Sequence, residues 1–317
     1  GRTGLSAHDM SVTVPPCSFS IWATYPPSTS NAVCWLPYRT RAGQNVGLQV
    51  CARNLLAPHF KSSEMIAKPE PQQNHLLAAL SPEVQSRLFP HLELVPLPLR
   101  AVLYESRRPM RHVYFPTDSI VSLQYVMENG ASTAISVVGN EGLLGITLFL
   151  GGECTPSRSL VQSAGYAYRL PRKRVKDEFN RHGQLLLLML SYTQALITQV
   201  SQTAVCNRHH SIDQQLCRWL LLSMDRLSNN HLTMTQEFIS NMLGVRRESV
   251  TQAASNLQKL GVISYSRGLI KVLDRPQLET LSCECYAVVK KETDLLLDYM
   301  PQRQVITNTD AIPTATL

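Results

Sequence analysis

Six residues in one short stretch carry donors and acceptors suited to base-pair edges: Arg246, Arg247, Glu248, Ser249, Thr251 and Gln252. Arginine reaches guanine bidentately, glutamate accepts from cytosine N4, and glutamine addresses adenine. Arg267, further on, is of a type and place to meet a phosphate. Between Cys206 and Arg275 there are nine Lys/Arg against five Asp/Glu, a net +4, which is the sign a DNA partner requires. Other side chains have metal or redox chemistry. Cys206, His209, His210 and Cys217 could gather at a metal, but on one helix and its turn they read as packing or solvent-facing residues. Cys283-x-Cys285 could be a redox pair, yet alternating neighbours make a strain-free bridge doubtful. No metal ligands are therefore assigned. The chain has no nucleophile elbow, Walker-type phosphate loop or His-Glu-x-x-His pattern, so an enzyme reading has no catalytic constellation behind it.

The base-reading set needs a scaffold, and the surrounding pattern supplies one. Leu232-Thr-Met-Thr235 leads into a helix over Gln236 to Leu243, with Thr235 able to accept a backbone N–H at its start. Gly244 gives the tight turn, and a second helix runs from about Arg246 to Leu260, closed by Gly261. Val250, Ala253, Ala254 and Leu257 form its inward face. Two adjacent arginines at a helix start oppose the helix dipole, a cost that a phosphate or guanine would offset. Val262 to Tyr265, Ser266-Arg267-Gly268 and Leu269 to Leu273 read as a hairpin wing with Arg267 at its tip. Upstream, Ile212, Leu216, Trp219, Leu220 and Leu222 mark an amphipathic helix. A longer helix spans about Gln184 to His209, and its seam (Leu186, Leu190, Thr193, Ile197, Val200, Ala204, Asn207) repeats at 4-3-4-3-4-3, the heptad rhythm of a helix that meets another helix. The flanking Gln194, Gln199, Ser201 and Gln202 leave that stripe narrow, so it is read as a dimer seam.

Before Pro171 the chain reads mostly as short β-type runs. A helical entry over His75 to Leu80 and Val84 to Phe89, with Ser81 as cap and Pro82 at the first helical position, precedes short β-type runs. These cover Leu92–Leu97, Ala101–Tyr104, His112–Phe115, Ile120–Val126, Ala131–Val138 and Leu160–Leu170. Glu128-Asn129-Gly130 is a hairpin signal, because Asn and Gly both tolerate positive φ. Arg172 to Arg181 is a basic helical segment, punctuated by Gly183. Many short strands with frequent turns favour an antiparallel sandwich or barrel over a parallel sheet.

Composition bounds the answer. At 317 residues, about two domains of roughly 150 residues are expected. The net charge is +7 and 44% of residues are hydrophobic, enough for a core and against wholesale disorder. The longest aliphatic run, Leu185 to Leu190, is far short of the about 20 residues that a membrane span needs. Eight scattered cysteines do not make a disulfide scaffold, so a reducing cytoplasm is expected and no membrane partner. Residues 1–73, with Pro15-Pro16, Pro26-Pro27, Pro37, Pro58 and Pro69, read as a disordered extension. That segment is acid-poor and Ser-rich like a transit peptide but lacks an amphipathic helix. Met65 is read as a natural start. The remaining divisions are a strand-rich domain (74–182), a dimerisation helix (183–209), the helix-turn-helix module (210–275) and a C-terminal helical extension and tail (276–317).

Leu232-Thr-Met-Thr, then Gly244-Val-Arg-Arg-Glu-Ser-Val-Thr, then Leu257-Gln-Lys-Leu-Gly-Val-Ile263 resembles the winged helix-turn-helix of the Crp/Fnr transcriptional regulators. The order of parts agrees over about residues 74–275. The resemblance implies an α+β fold: an N-terminal antiparallel β-roll of cyclic-nucleotide-binding type, a long dimerisation helix and a C-terminal winged helix-turn-helix. It implies a homodimer on a pseudo-palindrome of double-stranded DNA, RNA polymerase as a partner, Glu248 reading a base and Arg247 touching a base or phosphate. Gln252 stands where the family often has Arg, so the usual half-site is not assumed. In cyclic-nucleotide-responsive members a Gly-Glu pair holds the ribose and an Arg-Ser or Arg-Thr pair the phosphate. Here Gly142, Gly145, Arg158 and Ser159 remain as a candidate effector pocket, but Ile146 occupies the carboxylate's place. Ribose hydroxyls buried there would go unpaired, at about 1–3 kcal/mol each. Glu141 is offset and reads as a surface turn residue. Iron–sulfur-sensing members cluster cysteines near the N-terminus, whereas Cys17, Cys34 and Cys51 lie 17 residues apart. No cofactor is therefore expected, neither cyclic nucleotide nor iron–sulfur cluster, and the effector is an unidentified small molecule. The rival reading is a ligand-binding or protein-interaction module whose helix-turn-helix does not read DNA.

Overall fold

The short β-type runs become sheet and the amphipathic stretches become helix, with most strands before Pro171 and most helices after it. The computed structural model describes residues 37–39, 45–47, 68–227 and 230–302. They belong to two units, 1–66 and 67–317. In the first, β1 (Pro37–Arg39) and β2 (Asn45–Gly47) pair antiparallel. The rest of the extension expected to be disordered lies outside the described residues, apart from residues 68–73, which include one 3-10 turn at Pro71–Gln73.

The second unit begins with α1 (His75–Ala78) and α2 (Pro82–Leu88). Asn74, fully buried, caps α1 through Leu77 N and donates from Nδ2 to Pro116 O and Gly142 O, both at 2.9 Å. Seven strands follow: β3 (Glu93–Leu97), β4 (Val102–Tyr104), β5 (His112–Pro116), β6 (Ile120–Val126), β7 (Ser132–Val138), β8 (Arg158–Ser163) and β9 (Gly165–Pro171). They form two antiparallel sheets, ordered β3-β9-β5 and β4-β8-β6-β7. Two expectations need correction. The run Leu160–Leu170 is two strands in different sheets, reversing at Ser163–Gly165, where a side chain on Gly165 would stand 2.7 Å from Asp118. At the Asn-Gly turn only Gly130 takes positive φ; Asn129 instead uses its side chain to accept from Ala131 N.

The helices are α3 (Arg172–Phe179), α4 (Gln184–His209), α5 (Ile212–Met224), α6 (Gln236–Leu243), α7 (Arg247–Lys259), α8 (Arg275–Leu281) and α9 (Glu284–Gln302). A three-stranded sheet of β10 (His231–Thr233), β11 (Ile263–Ser266) and β12 (Leu269–Val272), ordered β10-β12-β11, forms the wing. One core fills the roll and takes in Leu185, Met189 and Tyr192 of α4 and Leu296 of α9. A second core unites α5 to α8 with Ile120, Ala134 and Val137 from the roll, so the C-terminal module is docked on the roll's four-stranded sheet. α4 has two faces. Leu185, Leu188, Tyr192, Gln199, Thr203 and Cys206 are buried inward, while Leu190 and Ile197 of the expected seam are 52% and 55% exposed. Of the other seam positions, Leu186, Thr193 and Val200 are half-buried and Ala204 and Asn207 exposed. α9 runs along α4. No helix among the described residues is long and apolar enough to cross a membrane.

Candidate nucleic-acid interface

Local sequence builds the helix pair. Thr235 accepts from Phe238 N at 3.2 Å and opens α6; Gly244 closes it at φ 67° and ψ 32°, a left-handed geometry that costs glycine nothing. Val245 N donates back to Ser240 O, and the chain turns into α7 with Arg246 at the cap. Val250, Ala253, Ala254 and Leu257 are buried, as their spacing required. The opposite face carries Arg246, Arg247, Glu248, Thr251 and Gln252 exposed, with Ser249 half-buried. Glu248 supplies the one acid of the first turn and offsets part of the arginines' conflict with the dipole.

Two of these side chains are tethered. Thr251 Oγ1 lies 2.8 Å from Gln236 Oε1 and 3.0 Å from Arg247 O. Gln252 Nε2 donates to Asn256 Oδ1, whose own amide donates to Asp213 on α5, each at 2.9 Å. Sequence reasoning missed Gln236, Asn256 and Asp213. Their signal was available only as i, i+4 spacing within α7 and not across helices. In the wing, Arg267 (φ 49°) and Gly268 (φ 81°) both take positive φ, the turn that matches strand twist. Tyr265 OH donates to Met234 O at 2.9 Å, and burial pushes its phenol pKa up. Arg267 and Thr235 line a cleft together with Leu99, Arg100 and Phe238, so both face the roll as well as solvent.

Three of the four candidate effector residues, Gly142, Gly145 and Arg158, lie against the protein's own side chains. A Cβ on Gly142 would stand 2.6 Å from Tyr192, whose hydroxyl donates to Leu143 O at 2.9 Å. Gly145 adopts φ 109° and starts the 3-10 turn that carries Ile146 into the roll's apolar edge. Arg158 forks onto Glu105, 2.7 Å at the closest, and this hydrogen bond holds the Glu105 carboxyl below the usual range. Ser159 is buried with no partner for its hydroxyl. Glu141 is a correction: it is buried, not a surface turn residue. Its Oε2 accepts from Gly139 N at 3.0 Å and its Oε1 from Arg226 Nε at 2.7 Å. Arg226 also donates from Nη1 to Leu222 O, and a Cβ on Gly139 would stand 2.8 Å from its side chain. The loop at 139–145 is thus gripped by α4 through Tyr192 and by the end of α5 through Arg226.

The cysteine expectation also changes. Cys206 and His210 come together with Cys283 and Cys285, whereas Cys217 is buried in the module core and His209 is exposed.

Residues 214–281 match the Crp-like helix-turn-helix domain. No curated protein matches the chain. Among solved structures, a protein described as a transcriptional regulator of the Crp/Fnr family from Eubacterium rectale ATCC 33656 is similar at TM-score 0.54 and 16% identity, over 66% of this chain and 98% of that one. A regulator of the CRP family from Thermus thermophilus gives 0.51 and 16%, over 59% and 96%. FixK2 from Bradyrhizobium japonicum gives 0.50 and 15%, over 61% and 98%. At these identities the likeness establishes the fold.

Proposed function

We infer that this chain, a Crp/Fnr-type regulator by its Crp-like helix-turn-helix domain and its fold, binds a pseudo-palindromic operator in the cytoplasm as a homodimer and so governs access of RNA polymerase. The observation that carries the reading is α7: its apolar face is buried while Arg246, Arg247, Glu248, Thr251 and Gln252 stand outward directly after the Gly244 turn. In such a pair the second helix enters the major groove with its N-terminal residues on base edges. Arg247 and Glu248 supply readout, and Arg267 holds a phosphate. The exposed Leu190 and Ile197 give each α4 an apolar seam for its twofold mate, which sets the two recognition helices about 34 Å apart, one duplex turn.

The sensor side has no carboxylate at Ile146, Tyr192 packs against Gly142, and Arg158 is engaged by Glu105 at the surface. These features argue against cyclic nucleotide, and the signal is left unidentified. Whatever it is, displacement of the 139–145 loop moves Glu141 and Tyr192, and through them α5 and α4.

The test is anisotropy titration of a DNA selected from a random pool against unrelated DNA, at several salt concentrations. Arg247→Ala and Glu248→Ala should reduce the ratio of specific to unrelated binding by about 1–3 kcal/mol each. Arg267→Ala should weaken both DNAs and reduce the salt slope by about one. Equal losses on both DNAs for all three variants would overturn the assignment of roles. Failure to select any sequence would favour the protein-interaction reading.

A further inference from the structure

Four potential ligands from distant parts of the chain converge where the long helix ends. Cys206 lies in the last turn of α4, His210 caps that helix, Cys283 sits between α8 and α9, and Cys285 is the second residue of α9. Their ligating atoms all lie within 4.8 Å of one another. Cys206 Sγ is 3.5 Å from Cys283 Sγ, and Cys285 Sγ is 3.6 Å from His210 Nδ1. A tetrahedral zinc ion with Zn–S of about 2.3 Å and Zn–N of about 2.0 Å requires ligand atoms separated by about 3.5–3.8 Å. The three sulfurs are buried, so water does not compete for the centre.

We propose that Cys206, His210, Cys283 and Cys285 bind one soft divalent ion of the zinc class, as a closed tetrahedral Cys3His site. The span suits a single ion, whereas an iron–sulfur cluster would place its own sulfides between the cysteines and hold them further apart. The surroundings fit the chemistry. His210 Nε2, the ring nitrogen turned away from the sulfurs, is 3.3 Å from Glu284 Oε2, the carboxylate–histidine pairing that fixes which nitrogen faces a metal. Gln215 Nε2 donates to His210 O at 3.0 Å and pins the turn. Binding releases three thiol protons to solvent, so an ion of charge +2 with three thiolates leaves the site at −1. Arg218 is buried, donates from Nη1 to Thr203 Oγ1 at 3.3 Å one turn before Cys206 on α4, and has Nε without a hydrogen-bond partner, so it can supply the compensating charge.

The site joins α4 to α9, with two ligands just before and two just after the matched helix-turn-helix domain. Since α9 runs along α4 and buries Leu296 in the roll core, the ion braces the C-terminal helix across the joint between sensor and DNA-binding module. This does not depend on the DNA-binding reading.

The experiment uses the full chain, purified under reducing conditions, stripped with chelator and titrated with cobalt(II), then with zinc(II). Expected are one equivalent of cobalt per chain, visible ligand-field bands of a tetrahedral ion with thiolate charge transfer, and displacement by zinc, with the native mass shifted by one ion. Cys285→Ser should abolish the tetrahedral spectrum. Glu284→Gln should keep it but weaken binding about tenfold to a hundredfold. Cys154→Ser and a combined Cys17→Ser, Cys34→Ser and Cys51→Ser variant should bind as the parent does. Circular dichroism of each variant confirms that it is folded. An absent or octahedral spectrum in the folded parent would overturn the proposal. So would retention of the spectrum in Cys285→Ser, a multi-iron cluster in the isolated protein, or a Cys206–Cys283 disulfide formed under the reducing preparation.

Discussion

Replacing Arg226 by Met tests the coupling between the sensor loop and the DNA-binding module. The side chains of Arg226 and Glu141 are 5% and 10% exposed, and their contact is 2.7 Å. Removing the guanidinium leaves a carboxylate out of water with only Gly139 N as a donor, and deletes a second hydrogen bond to Leu222 O. Breaking a buried pair from one side costs about 3–5 kcal/mol, since the remaining charge stays uncompensated. With a urea m-value of about 3 kcal/mol/M, the midpoint should fall by about 1–1.7 M. Glu141→Gln combined with Arg226→Met removes both charges and should recover part of the loss, with a coupling energy of about 1–3 kcal/mol in a double-mutant cycle. The assay is urea unfolding followed by tryptophan fluorescence, because Trp219 lies on α5, where the module meets the roll. A single-variant loss below about 1 kcal/mol, or strict additivity, would refute the reasoning: the pair would then behave as an exposed one.

Further outcomes follow from the same structure. Gly142→Ala puts a methyl 2.6 Å from the Tyr192 ring and should cost about 1–3 kcal/mol, read as a lower unfolding midpoint. Leu190→Lys with Ile197→Lys should raise the dimer dissociation constant about a hundredfold or more in analytical ultracentrifugation, given about 1.5–3 kcal/mol per fully buried side chain. Glu178, buried beneath Arg87 at 2.6 Å, has its pKa lowered chiefly by that hydrogen bond. Its stabilisation is present above the ordinary carboxylate range and is lost as pH falls through the lowered folded-state value. Glu178→Gln should therefore cost about 1 kcal/mol at pH 7, after screening at the half-exposed Arg87, with the difference vanishing in acid.

The parts of the fold legible in the sequence are those in which local and tertiary demands coincide. α4 begins after Gly183 and ends at His209 where its periodicity starts and stops. Thr235, Gly244 and the Val250, Ala253, Ala254, Leu257 stripe each do locally what their type and spacing require. Gly165 was missed because its role is steric and non-local: Asp118 lies too close for any side chain. Glu141 looked like a turn residue because its partner, Arg226, is 85 residues away and nothing in either neighbourhood advertises the pair. The Cys3His group was illegible for the same reason. Cys206 and His210 share an i, i+4 spacing, but their co-ligands arrive only when α9 folds back along α4. Residue types announced the chemistry; topology decided which of them meet.

The central claim is tested most directly by hydroxyl-radical footprinting on a sequence selected by the protein from random DNA. Expected are two protected half-sites related by inversion, their centres about 10–10.5 base pairs apart, and loss of the sequence preference when Arg247 and Glu248 are replaced together by Ala. A single protected segment without inverted symmetry, or an unchanged preference in that double variant, would contradict it.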